Sequence, residues 1–167
     1  MTASLPEVWL RGPLPGFPVP LMPVAHALLQ AREDVERVAA TATVEELWQQ
    51  PGQAASAGYH LQHLTGSLDR LLTYARGEPL DAGQRTALLQ EGTPGASASA
   101  LVSGAIAQLD RALAQVQRTP VESLGAPREV GRARLPSTVL GLLYHAAEHT
   151  SRHVGQLITT LKVVRGR

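Results

Sequence analysis

Four stretches of the chain repeat apolar residues at the three-and-four spacing of an amphipathic helix, and the segments between them do not. The first follows Pro23, with Val24, Leu28, Val35 and Val38 on one side as far as about Ala40. Proline suits a first helical turn because its missing N–H has no partner there anyway. The second runs from an N-cap at Ser56 to Arg76, with Gly77 as its stop and a seam of Leu61, Leu64, Leu68, Leu71, Leu72 and Ala75. The third, capped by Ser97 or Ser99, carries Leu101, Ile106, Leu109, Leu113 and Val116 and ends at Pro120. The last begins after Pro136, with Ser137 as its cap, and reaches about Val164 before Gly166. A helix of that length spans roughly 40 Å, and its seam centres between Leu143, Thr150, Val154 and Leu161.

The connections read differently. TATVEELWQQPG is a short break that carries Trp48, LDAGQRTALLQEG is a short helix or turn, and APREVGRARLP is a loop or small hairpin. Six prolines before residue 24 exclude a helix there and predict an extended arm over 1–22. Val8, Trp9, Leu10, Leu14 and Phe17 give that arm apolar side chains to bury on the body. Alternating strand pattern is nearly absent. The pattern predicts an all-α four-helix bundle, one domain over 1–167 with the proline-rich arm packed on it.

Composition narrows the functions. The 167 residues are 44% apolar and 17% charged, which excludes intrinsic disorder. Fifteen basic and fourteen acidic residues leave a net charge of +1, so no broad field attracts nucleic acid or an anionic membrane. The absence of cysteine removes disulfides, thiolate nucleophiles and cysteine metal sites. With no leader-like start and no apolar run of about 20 residues, a cytoplasmic protein is expected.

Histidine is where the chemistry concentrates. His26 lies on the first helix, His60 and His63 on the second, and His145, His149 and His153 on the last. Residues four apart share a helix face, so His149 and His153 can reach one point above it. A crossing helix can add His60 or His63, giving three imidazoles and an open position on a transition metal. On the helical wheel His153 sits at the seam edge and His149 further out, while His60 lies nearer the leucine seam than His63. The plainer alternative is a set of solvated or hydrogen-bonded histidines, and His26 reads as one of those.

Other motifs carry less. His145-Ala146-Ala147-Glu148-His149 matches the H-x-x-E-H protease signature, but no acidic residue follows Thr150 to complete it. Phosphate-binding glycine loops and a Gly-x-Ser-x-Gly elbow are missing. Arg128, Arg132 and Arg134 could meet an anion, though a surface loop explains them as well. Glu148 points away from the His149/His153 face and is a poor general base.

Two stretches resemble a known family. YHLQHLTGSLDRLL is similar to the second-helix motif of the DinB/YfiT-like metal-binding bundles, and EHTSRHVGQL to their last-helix motif. The WLRGP arm and the HAAEH stretch resemble a bacterial subgroup of that family. The resemblance covers about Pro23 to Val164 and implies a divalent metal, zinc or nickel, held by His63, His149 and His153. It implies that His60 and His145 stand beside these ligands. Gly66 occupies a position where many relatives carry an acidic residue, so a carboxylate partner for the ligands is expected to be missing. The resemblance further implies a homodimer and a small-molecule substrate. Its activities would be metal-dependent thiol S-transfer, with a low-molecular-weight thiol as cosubstrate, or hydrolysis. A non-catalytic metal-binding stress or sensor module and a purely structural dimeric bundle are the alternatives.

Overall fold

The computed structural model describes residues 5–166. Six α-helices and one hairpin follow in the order α1 (Met22–Ala39), α2 (Val44–Trp48), α3 (Ala57–Arg76), α4 (Ala82–Gln90), α5 (Ala98–Arg118), β1 (Pro127–Val130), β2 (Leu135–Thr138) and α6 (Val139–Val164). The four long helices form the bundle. Helix α3 packs on α5 and α6, and α1 packs on the same two from the other side, so α1 and α3 lie diagonally opposite. The core is aliphatic, built around Leu28, Leu61, Leu64, Leu68, Leu109, Leu143, Leu157 and Leu161.

Helix boundaries follow local chemistry. Ser56 accepts from the Tyr59 N–H to open α3, and Gly77, at φ +80, closes it in the left-handed region that favours glycine. Ser97, not Ser99, caps α5 by accepting from Ala100 N–H. The cap of α6 is Thr138 rather than Ser137, because Ser137 is paired with Arg128 in the hairpin ladder while the Thr138 hydroxyl accepts from Gly141 N–H. The APREVGRARLP segment is thus the small hairpin, antiparallel, with Val130 opposite Leu135.

Two features depart from the sequence expectation. The TATVEELWQQPG break contains α2, started by a capping box in which Thr43 and Glu46 satisfy each other's backbone N–H. Arg165, at the end of α6, clasps Glu46 through two contacts of 3.0 and 2.8 Å. The N-terminal arm is not uniformly extended, since Val8–Arg11 and Val19–Leu21 each form a 3-10 turn. A turn this short makes few internal bonds for proline to disrupt. Val8 is buried and Leu14 and Phe17 pack on the core, but Trp9 is 62% and Leu10 57% exposed. Polar contacts dock the arm on α1: Val8 N–H donates to Gln30, and Arg11 pairs with Glu33 at 2.7 and 2.8 Å. Residues 1–4 of the expected arm lie outside the described residues.

Among the described residues no helix is long and apolar enough to cross a membrane. Leu157 is fully buried on α6, so Leu157→Ala should lower the unfolding free energy by about 2–5 kcal/mol, measured by urea denaturation. A loss below about 0.5 kcal/mol would contradict the packing described for α6.

Candidate metal centre

Helices α3 and α6 run antiparallel, so residues that ascend along one descend along the other. His60 therefore lies opposite His153, with their Nδ1 atoms 3.1 Å apart. One turn along, His63 lies opposite His149, with their Nε2 atoms 3.0 Å apart. His63, His149 and His153 each offer a ring nitrogen, and these three atoms fall within 4.8 Å of one another. Ring centroids of His153 stand 4.5 Å from both His63 and His149.

The outer nitrogens define which atoms face inward. Nδ1 of His63 donates to Glu91 Oε2 at 2.6 Å, leaving Nε2 as an acceptor. Nδ1 of His153 is engaged with His60, again leaving Nε2. Buried Nδ1 of His149 has no partner among the described residues. The donor set suits a borderline divalent ion: tetrahedral ligands at a metal–nitrogen distance of about 2.0–2.1 Å stand about 3.3 Å apart, close to the His63–His149 separation. Three imidazoles of this kind can hold a metal ion.

Glu91 completes the arrangement and has no counterpart in the sequence reading. Its Oε1 accepts from Arg70 Nη1 at 2.7 Å while Oε2 receives His63, so both oxygens are fixed. Its side chain is only 9% exposed. The carboxylate expected to be missing is therefore present, supplied from beyond α4 instead of from position 66. Gly66 makes this substitution feasible. A Cβ there would lie 2.6 Å from Glu91 Oε1 and 2.8 Å from Arg70 Nη1, so any side chain at this position would push the carboxylate and the guanidinium from their places. Gln62 anchors the turn that carries Glu91, donating to Thr93 O at 3.1 Å and accepting from Gly92 N–H at 2.7 Å. Gln84, in α4, reaches back to Asp69 and Thr73 on α3 at 2.6 and 2.8 Å. The available signal for Glu91 was indirect: a small residue where an acid was expected leaves room for an acid from elsewhere.

Not every histidine joins the cluster. His60 is 5% exposed and touches His153 through Nδ1, whereas exposed His145 has its ring 5.4 Å from that of His149. His26 stands apart on α1, hydrogen-bonded to Gly12 O at 3.0 Å. Glu148 pairs with Arg152 and lies 3.6 Å from His145, away from the three inward nitrogens. Tyr59 stacks on His63 with ring planes 11° apart.

Burial sets the protonation of the site. Desolvation, helped by the neighbouring imidazoles His63, His149 and His60, pushes His153 down to about 4. Desolvation also lowers His60 and His149, aided in both by His63. These imidazoles are neutral at pH 7, the form that ligates a metal.

Glu91→Ala should weaken metal affinity about 10- to 100-fold in a competitive chelator titration, because it frees His63 from its carboxylate, and Gly66→Ala should weaken it less, by displacing that carboxylate. Unchanged affinity in both would remove Glu91 from the site. Without metal, the depressed histidines couple stability to pH. A histidine whose folded pKa is depressed takes up its proton more readily when unfolded, so its contribution to stability is intact above about 6.5 and declines as pH falls towards about 4. Melting temperature should drop across that window, and His153→Gln should flatten the slope.

Comparison with other proteins agrees with this architecture. A model of the DinB superfamily matches residues 27–157. A conserved protein from Enterococcus faecalis superposes with a TM-score of 0.73 at 18% identity, covering 88% of this chain and 98% of that one. A DinB-like protein from Bacillus cereus superposes with a TM-score of 0.62, also at 18% identity, over 83% of this chain and 91% of its own. No curated protein matches the sequence significantly. The match over most of the chain, on an all-α bundle of this order, makes the protein a member of the DinB superfamily.

Proposed function

We propose that this protein binds one divalent metal ion, zinc or nickel, through His63, His149 and His153, and uses it for thiol S-transfer or hydrolysis on a small substrate. One observation carries the reading: three inward imidazole nitrogens from two helices, with Glu91 fixing the ring of the first and His60 contacting that of the third. A structural role for the histidines would not require a buried carboxylate and arginine to hold one of them in orientation. Membership in a superfamily of metal-binding bundles supports the same reading.

A divalent ion bound there would supply Lewis acidity, lowering the pKa of a coordinated thiol or water towards about 7. The chain's own residues do the rest by position. Glu91 and Arg70 hold His63 with Nε2 inward, and Tyr59 covers its face. His60, held towards its neutral form by burial, meets Nδ1 of His153 with its own Nδ1 and so fixes the orientation of that ring. Because the protein holds no cysteine, a thiol in the reaction comes from a small molecule. Neither Glu91, with both oxygens engaged, nor Glu148, held by Arg152, is available as a general base. That favours a nucleophile acidic enough to need no neighbouring base, and a thiol meets this better than water.

Elemental analysis of untagged protein tests the reading directly. About one equivalent of zinc or nickel is expected in the wild type. His63→Ala and the His149→Ala/His153→Ala double variant should lose it. Chelation should abolish turnover of thiol-conjugating or hydrolytic substrates, and restoring the ion should recover it. A protein that takes up no divalent ion would overturn the proposal; tight binding without turnover across both substrate classes would leave a non-catalytic metal-binding module.

A further inference from the structure

At the far end of the bundle, where α3 and α5 finish and the hairpin leads into α6, lies a cleft of about 630 Å³. Arg76, Arg111, Arg118 and Arg128 line it, and no aspartate or glutamate does. The whole chain carries a net charge of only +1, so four guanidinium groups around one cavity are a local concentration and not a general property. Helix capping explains only part of it. Arg76 and Arg118 fall in last turns, where a cation complements the helix dipole. Arg111 lies two turns inside α5, and Arg128 comes from β1.

The arginines are also held differently. Arg76 is fixed on all sides, donating to Glu78, to Gln115 at 2.6 Å and to Thr73 at 3.1 Å. Arg128 donates Nε to Ala75 O and Nη1 to Pro127 O, both at 2.8 Å, which leaves Nη2 unengaged. Arg111 spends Nε and Nη2 on Gln108, leaving Nη1. Arg118 has no hydrogen-bond or ion-pair partner among the described residues. Three arginines therefore keep donors without any carboxylate to satisfy them, beside one locked in place.

We propose that this cleft is a binding site for a small organic phosphate. Guanidinium groups match the geometry of phosphate oxygens with paired N–H donors, and several converging on one cavity select for more than a single negative charge. A volume of about 630 Å³ falls within the range of small-molecule sites, and Ala75, Ala114 and Val139 offer an apolar wall to the rest of the ligand. Arg76 lies thirteen residues along α3 from His63, roughly 20 Å at helical rise, so the site is separate from the metal centre. It extends the arginine cluster of the hairpin, visible in the sequence, into a built cavity with residues from three helices.

Inorganic pyrophosphate, titrated calorimetrically at low ionic strength into the full chain, is the probe. Because pyrophosphate also chelates metals, the same titration is run on the His149→Ala/His153→Ala variant. Saturable one-site binding is expected in the wild type and in that variant alike. The Arg111→Gln/Arg118→Gln double variant should bind at least about tenfold more weakly, Arg111→Lys/Arg118→Lys should recover part of the loss, and Arg132→Gln, outside the cleft, should stay within about twofold of wild type. Absence of saturable binding, an equal loss in Arg132→Gln, or disappearance of binding in the histidine variant would each overturn the proposal. Both substituted arginines are solvent-exposed, so melting temperature should change little, and it is measured alongside.

Discussion

Everything at the centre of this protein depends on the antiparallel contact between α3 and α6. It sets His60 against His153 and His63 against His149 one turn apart, and it does so with leucines on either side instead of with the histidines themselves. Burying several imidazoles is unfavourable unless they stay neutral and find partners. The aliphatic seam provides the burial, the pairing across the two helices gives each of the four rings one partner, and the buried Nδ1 of His149 is left without one. The same desolvation that opposes protonation prepares the nitrogens for a metal, so packing and chemistry act in one direction here.

Most of this architecture was readable from residue spacing. Boundaries of α3 came out to the residue, because Ser56 and Gly77 are strong local signals that tertiary contacts had no reason to override. At α6 the cap moved by one residue, since a strand ladder claimed Ser137 before the helix could. Helix α2 was missed because its five residues are too few to show a period; the Thr43–Glu46 pair was its only mark. Trp9 and Leu10 show the limit of reasoning from apolar content: it does not say which side of the arm faces the body, and Val8 is buried while its two neighbours stay exposed.

The histidines divide along a line the sequence could not draw. A helical wheel ranks residues by distance from the seam, which measures burial, and it correctly set His60 deeper than His63. Ligation needs an edge position from which a ring can meet rings of another helix, and burial does not rank that. The two criteria separate the pair, with His60 deep against His153 and His63 at the edge beside His149. Glu91 had no mark in the sequence beyond the small residue at position 66. It stands 28 residues from His63, at the end of a segment with no motif, and its place is defined by Gly66, Gln62 and Arg70 on another helix.

Helix α4 is the one long-range partner of the centre that contributes nothing to the core. None of its residues is buried, and it is held to α3 by polar contacts through Gln84 and by the Gln62 clamp on the turn that follows. Elements of that kind open locally at far lower free energy than the bundle beneath them. The three rings consequently draw their order from two sources of unequal strength. His149 and His153 rise from the bundle core itself, whereas the carboxylate that orients His63 is tied to a surface helix, so loosening α4 would disturb one ring of the three before the others.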